Sequence, residues 1–96
     1  MIATEADFSA TLEHEQPPVV PPVLVALWWA GRGDWHRAHE TVQDLEGREA
    51  AWVHAHLHRQ EGDLDNARYW YRRAGRRPRE GALEAEWKEI VRILLR

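Results

Sequence analysis

Wherever apolar and polar positions recur regularly along this chain, they recur with the period of a helix, and Gly and Pro mark the joints between periodic stretches. Thr4 to His14 reads as a weakly amphipathic first helix, with Phe8 and Leu12 four apart on one face. Gln16-Pro-Pro-Val-Val-Pro-Pro22 is a stiff connector that cannot be helical in its interior. Pro22 suits a helix start, and Pro22–Ala30 is apolar nearly all round, which predicts a second, central buried helix ended by Gly31-Arg32-Gly33. Asp34 is a natural N-cap for a third helix from Trp35 to about Leu45, with Trp35, Ala38, Val42 and Leu45 on one face and Gly47 as its end. A fourth helix runs from Arg48 to Glu61 and stops at Gly62. Asp63 caps a fifth, Leu64 to Ala74, whose apolar face is Leu64, Ala67, Trp70, Tyr71 and Ala74; Gly75 and Pro78 end it. The sixth, Leu83–Arg96, carries Leu83, Trp87, Ile90, Val91, Leu94 and Leu95 on one side. No strand pattern is present, so the expected fold is all-α.

The joints repeat. Gly33-Asp34 recurs as Gly62-Asp63, 29 residues later, and the register holds from Trp35/Leu64 through Ala38/Ala67 and Val42/Tyr71 to Leu45/Ala74. Such helix–Gly-Asp–helix units stack to bury a shared core. Gly62-Asp63-Leu64, Ala67, Tyr71, Ala74 and Pro78 together resemble the second half of a tetratricopeptide (TPR) repeat, over residues 48–78 and more weakly over 22–45. The repeat of 29 is shorter than the roughly 34 of that family. Trp52 and Pro78 each stand one place off the family pattern. More narrowly, the strings LWWAGRGDWHRAHE, AWVHAHLHR and EGDLDNARYWYRRAGR resemble a small uncharacterised bacterial protein family. The TPR resemblance implies two TPR-like helical hairpins with an N-terminal helical arm and a C-terminal capping helix. In residues this is one domain, 1–96: arm and Pro-rich connector 1–21, two repeats 22–78, capping helix 79–96.

Composition narrows the chemistry. Ninety-six residues without a Cys exclude large catalytic folds, a disulfide framework, a thiolate nucleophile and thiolate metal sites. Six Trp supply a large apolar area for so short a chain. The first twenty residues hold acidic groups and no Lys or Arg, and the run Val19–Ala30 is too short to span a bilayer. The expectation is a soluble cytoplasmic protein with no membrane partner. Ser9 is the lone Ser and lies on the peripheral first helix, so no catalytic residues are expected and the reading leans away from an enzyme.

Three patterns point to sites. His54 and His58, at i and i+4 on the fourth helix, fall within its apolar stripe, with His39 at the edge of the third helix's apolar face. That spacing lets two imidazoles share one metal, zinc or another divalent ion, with His39 as third ligand. His56 is expected on the polar side, with Glu49 and Arg59. Arg68, Arg72, Arg73, Arg76, Arg77 and Arg79 place six of thirteen basic residues within twelve positions, interleaved with Tyr69, Trp70 and Tyr71. Helical geometry spreads these cations around the helix, which disfavours a nucleic-acid patch; Glu80, Glu84 and Glu86 stand ready to pair with them. Trp52 falls at the edge of a polar face, as an interaction anchor or under the N-terminal arm. The leading function is a small non-catalytic protein-interaction module, with Arg72, Arg73, Trp52 and Tyr69 contacting a protein or peptide. The alternatives are a His-based metal- or ligand-binding protein or enzyme, and nucleic-acid binding through the Arg cluster.

Overall fold

The structure, a computed structural model, describes residues 2–96. Its described residues form six α-helices and no strand: α1 (Glu5–Ala10), followed by a short 3-10 turn Thr11–Glu13, α2 (Pro22–Gly31), α3 (Trp35–Val42), α4 (Arg48–Gln60), α5 (Leu64–Ala74) and α6 (Leu83–Leu94). Four helices stop short of their sequence-based limits: α1 ends at Ala10 rather than His14, α3 at Val42 rather than Leu45, α4 at Gln60 rather than Glu61, and α6 at Leu94 rather than Arg96. Among the described residues, no helix is long and apolar enough to cross a membrane.

The two Gly-Asp joints are near-copies of one another. Gly33 and Gly62 have φ of 81° and 83°, a left-handed conformation that L side chains rarely adopt. Each closes the preceding helix with the same pair of backbone bonds. Gly33 N–H donates to Ala30 O (3.0 Å) and Asp34 N–H to Trp29 O (2.9 Å); Gly62 N–H donates to Arg59 O (3.1 Å) and Asp63 N–H to His58 O (2.9 Å). Each Asp then opens the next helix by accepting from the backbone N–H three residues on, Arg37 for Asp34 and Asn66 for Asp63. Consequently α2 lies along α3 and α4 along α5, the two most extensive helix pairings.

The central helix is α4, not α2 as the apolar count suggested. Nine consecutive residues of α4, Ala50 to His58, are buried, because α2, α3, α5 and α6 all pack against it. The N-terminal arm is anchored to α2 and to α6. A Thr4/Asp7 capping box starts α1. Phe8 packs on Trp87 with ring centroids 5.8 Å apart, and Trp28 Nε1 donates to Thr11 O (3.1 Å). Trp87 Nε1 in turn donates to Leu27 O (2.7 Å), so the indole ties α6 to α2. Two apolar-face expectations fail: Leu64 and Leu83 each stand in the first turn of a helix, beyond the packed layer, and both are exposed.

A Cβ at Gly62 would meet nothing within 4 Å, so Gly62→Ala tests the backbone conformation alone. Urea unfolding is expected to show a loss of about 1–2 kcal/mol for Gly62→Ala, and of about 1 kcal/mol for Asp63→Ala through the lost cap.

Candidate metal centre

The Asp34 cap sets the start of α3 so that Trp35 and His39, four residues apart, face α4 together. Trp35 donates from Nε1 to Leu57 O (2.6 Å), which pins α3 to the last turns of α4. His39 stacks on Trp35, centroids 4.8 Å apart and planes 9° from parallel. On α4, His54 and His58 are one turn apart and stack at 4.9 Å. Trp70 of α5 covers His54 at 3.8 Å and 14°. Three helices therefore deliver three imidazoles and two indoles to one place.

The imidazoles converge. His39 Nε2 and His54 Nε2 are 3.1 Å apart, and single ligand atoms of His39, His54 and His58 all lie within 4.8 Å of one another. Metal-free, one Nε2–H donates to the other ring's lone pair. A tetrahedral zinc with bonds of 2.0–2.1 Å separates its ligand nitrogens by roughly 3.3–3.4 Å, close to the His39–His54 spacing. Glu61 Oε1 lies 3.4 Å from His58 Nδ1, the carboxylate–imidazole arrangement that orients a ring and leaves Nε2 for an ion. His54 and His58 are buried and His39 is partly so. Burial pushes His54 down to about 4, with the neighbouring His58 and His39 adding to the effect. His39 is lowered by the same cause first, then by His58. Both rings are thus neutral at pH 7, the form that ligates metal. His54 and Trp70 also wall a cavity of about 490 Å³ that extends to Arg48 and Arg73.

His56 corrects its expectation. It is fully buried, on the side of α4 covered by α6 and away from His54 and His58. Its Nδ1 donates to Glu86 Oε1 (2.7 Å), which also accepts from Arg59 Nη1 (2.9 Å), while Tyr71 OH donates to Glu86 Oε2. Burial raises the Glu86 carboxyl, but the bonds from His56, Tyr71 and Arg59 outweigh it and hold the group below its ordinary value. Burial, then the Glu86 hydrogen bond, pushes Tyr71 up. Glu86 had a legible signal: it lies between Leu83 and Ile90 on the apolar stripe of α6, where a carboxylate is out of place without partners.

The remaining site residues separate. Trp52 is 3 % exposed and is covered by the Arg76 guanidinium, 3.4 Å from the ring centroid, rather than by the N-terminal arm; it is not an exposed anchor. Arg72, Arg73 and Tyr69 are exposed, and Arg73 lies over both Tyr69 and Trp70. The cations do not pair with the acids named from sequence: Arg68 pairs with Asp65, Arg79 with Glu89, Lys88 with Glu84, and Glu86 with Arg59. No protein-family model, curated protein or solved structure matches the chain.

Because His54 is depressed to about 4 from an unfolded value near 6.5, the unfolded chain takes up a proton that the folded one does not between those pH values. Stability is therefore full above pH 6.5 and declines as pH falls toward 4. Urea midpoints measured between pH 7 and 4.5 are expected to drop in the native protein and to drop less in His54→Gln. The Glu86 contribution has the same sign but is lost only below its ordinary carboxylate range.

Proposed function

We propose that this chain binds a divalent transition metal, with zinc as the type case, through His39, His54 and His58 on a TPR-like helical-repeat scaffold. The observation that carries this reading is the convergence of three imidazole nitrogens within 4.8 Å. Their donor set supports it. Three imidazole nitrogens suit zinc and its neighbours rather than magnesium or calcium, which take oxygen ligands. The low His54 value means that protons do not compete for the site near neutrality. Trp35 and Trp70 hold two of the rings by stacking, so little side-chain freedom is lost on binding. Three protein ligands leave a fourth position on a tetrahedral ion for water or an added group. When bound, the ion would supply Lewis acidity there.

Tyr69 and Arg73 favour a second reading on the same scaffold, protein interaction. The ring and the guanidinium form an exposed cation–aromatic pair on α5, a surface suited to an acidic, aromatic peptide.

Untagged protein stripped by a chelator is expected to take up one zinc per chain. Zinc at about a hundredfold over Kd stabilises by about 2.7 kcal/mol, which raises the melting temperature by on the order of 10 °C in a domain of this size. His39→Gln, at a partly exposed position, should keep the fold and lose most of that rise. Sub-stoichiometric zinc, with melting unchanged by zinc or EDTA, contradicts the proposal.

A further inference from the structure

Opposite the imidazole cluster, a second cavity of about 670 Å³ opens between α1, the end of α2, α4 and α6. Its volume is within the ordinary range for small-molecule sites. Leu12, Ala30 and Trp87 supply an apolar wall. That wall is preformed, since the Trp87 indole is held by Leu27 O and by Phe8. A Cβ on Gly31 would come within 2.9 Å of Trp87 Cζ2, so α2 and the indole meet there as closely as a glycine allows.

Two polar atoms set this cavity apart from an incidental gap. His56 Nε2 and Gln60 Oε1 are buried with no hydrogen-bond partner, and both residues line the cavity. Buried polar atoms without partners are rare, because each forfeits its hydration. Glu86 is ionised and can only accept, so His56 Nδ1 carries the proton that binds it, and in the neutral ring Nε2 is then an acceptor. Gln60 Oε1 is likewise an acceptor. At the mouth, Glu5 and Glu84 outnumber the one cation, Lys88, which is itself engaged with Glu84 at 3.2 Å.

We infer that this cavity binds a small molecule with an apolar or aromatic body and a head of N–H donors, an amine or amidinium, whose donors meet His56 Nε2 and Gln60 Oε1. Acceptor-only heads such as carboxylates are rejected, because they would face the Gln60 amide oxygen and a net negative rim. The site is independent of the metal proposal: His56 is two residues from His54 and from His58, about 200° around the helix from each.

Benzamidine is a suitable probe, and benzoate its acceptor-headed counterpart. In ¹H–¹⁵N spectra of the full chain, benzamidine is expected to shift the Trp87 indole and Gly31 amide signals, with a Kd of about 1 mM as befits a small fragment. Benzoate should leave them in place. Ala6, exposed on the cavity's rim, allows a blocking variant that spares the core: Ala6→Trp should abolish the shifts. Gln60→Met keeps the volume and removes the acceptor, and should weaken binding about tenfold. Melting curves confirm that both variants fold. Equal shifts from benzoate, no shift with benzamidine at 10-fold over that Kd, or undiminished binding in folded Ala6→Trp would each overturn the inference.

Discussion

The interior is organised around one buried charge. Glu86 enters from α6 and is met by His56 and Arg59 of α4 and Tyr71 of α5, so three helices converge on a single carboxylate. A lone ionised carboxylate in that position would cost several kcal/mol; three donors offset the cost only if all three arrive together. Arg59 extends the set by donating from Nη2 to Gly81 O (2.7 Å), which holds the turn before α6. The register of α6 on α4 and α5 is thereby specified by polar geometry, where its apolar stripe alone would tolerate sliding. The register then fixes Trp87, one residue on, against Leu27 O and Phe8, and through Phe8 the N-terminal arm.

That knot also divides α4 chemically. One face turns His54 and His58 toward α3 and α5, among indoles. The opposite face commits His56 Nδ1 to Glu86 and leaves Nε2 unpartnered at a cavity. A helix buried over nine successive residues ordinarily carries aliphatic side chains; α4 carries three imidazoles there, each in a different polar setting. His54 is held neutral by burial and by its ring neighbours, His56 is bonded to an ionised carboxylate, and His58 is turned by Glu61.

Local signals made much of this legible in the sequence. The Gly-Asp joints act through backbone conformation and a side-chain cap, both set within a few residues, and they came out at the positions read from the chain. His39, His54 and His58 were recoverable because helical spacing places the pair on one stripe and the third ring at a facing edge. What escaped depends on partners distant in sequence. His56 looks solvent-facing when α4 is considered with one apolar face, since nothing near it announces that α6 closes the other side; its partner is 30 residues away. Trp52 reads as an exposed anchor or as covered by the N-terminal arm for the same reason, its actual cover being a guanidinium from beyond α5. Glu86 reads from the sequence as a partner for the Arg cluster, whereas its actual partners, His56, Arg59 and Tyr71, arrive from other helices. Leu64 and Leu83 erred in the other direction, because a periodic stripe continues to the helix tip whereas the packed layer does not.

The central claim is that three rings brought together by α3 and α4 form one metal site. Crystals of untagged protein grown with one equivalent of zinc, measured on both sides of the zinc absorption edge, test it most directly. The account predicts a single anomalous peak per chain, bonded at about 2.0–2.1 Å to nitrogens of His39, His54 and His58. A peak confined to the exposed His14 or His36, or none within bonding distance of His54, would contradict it.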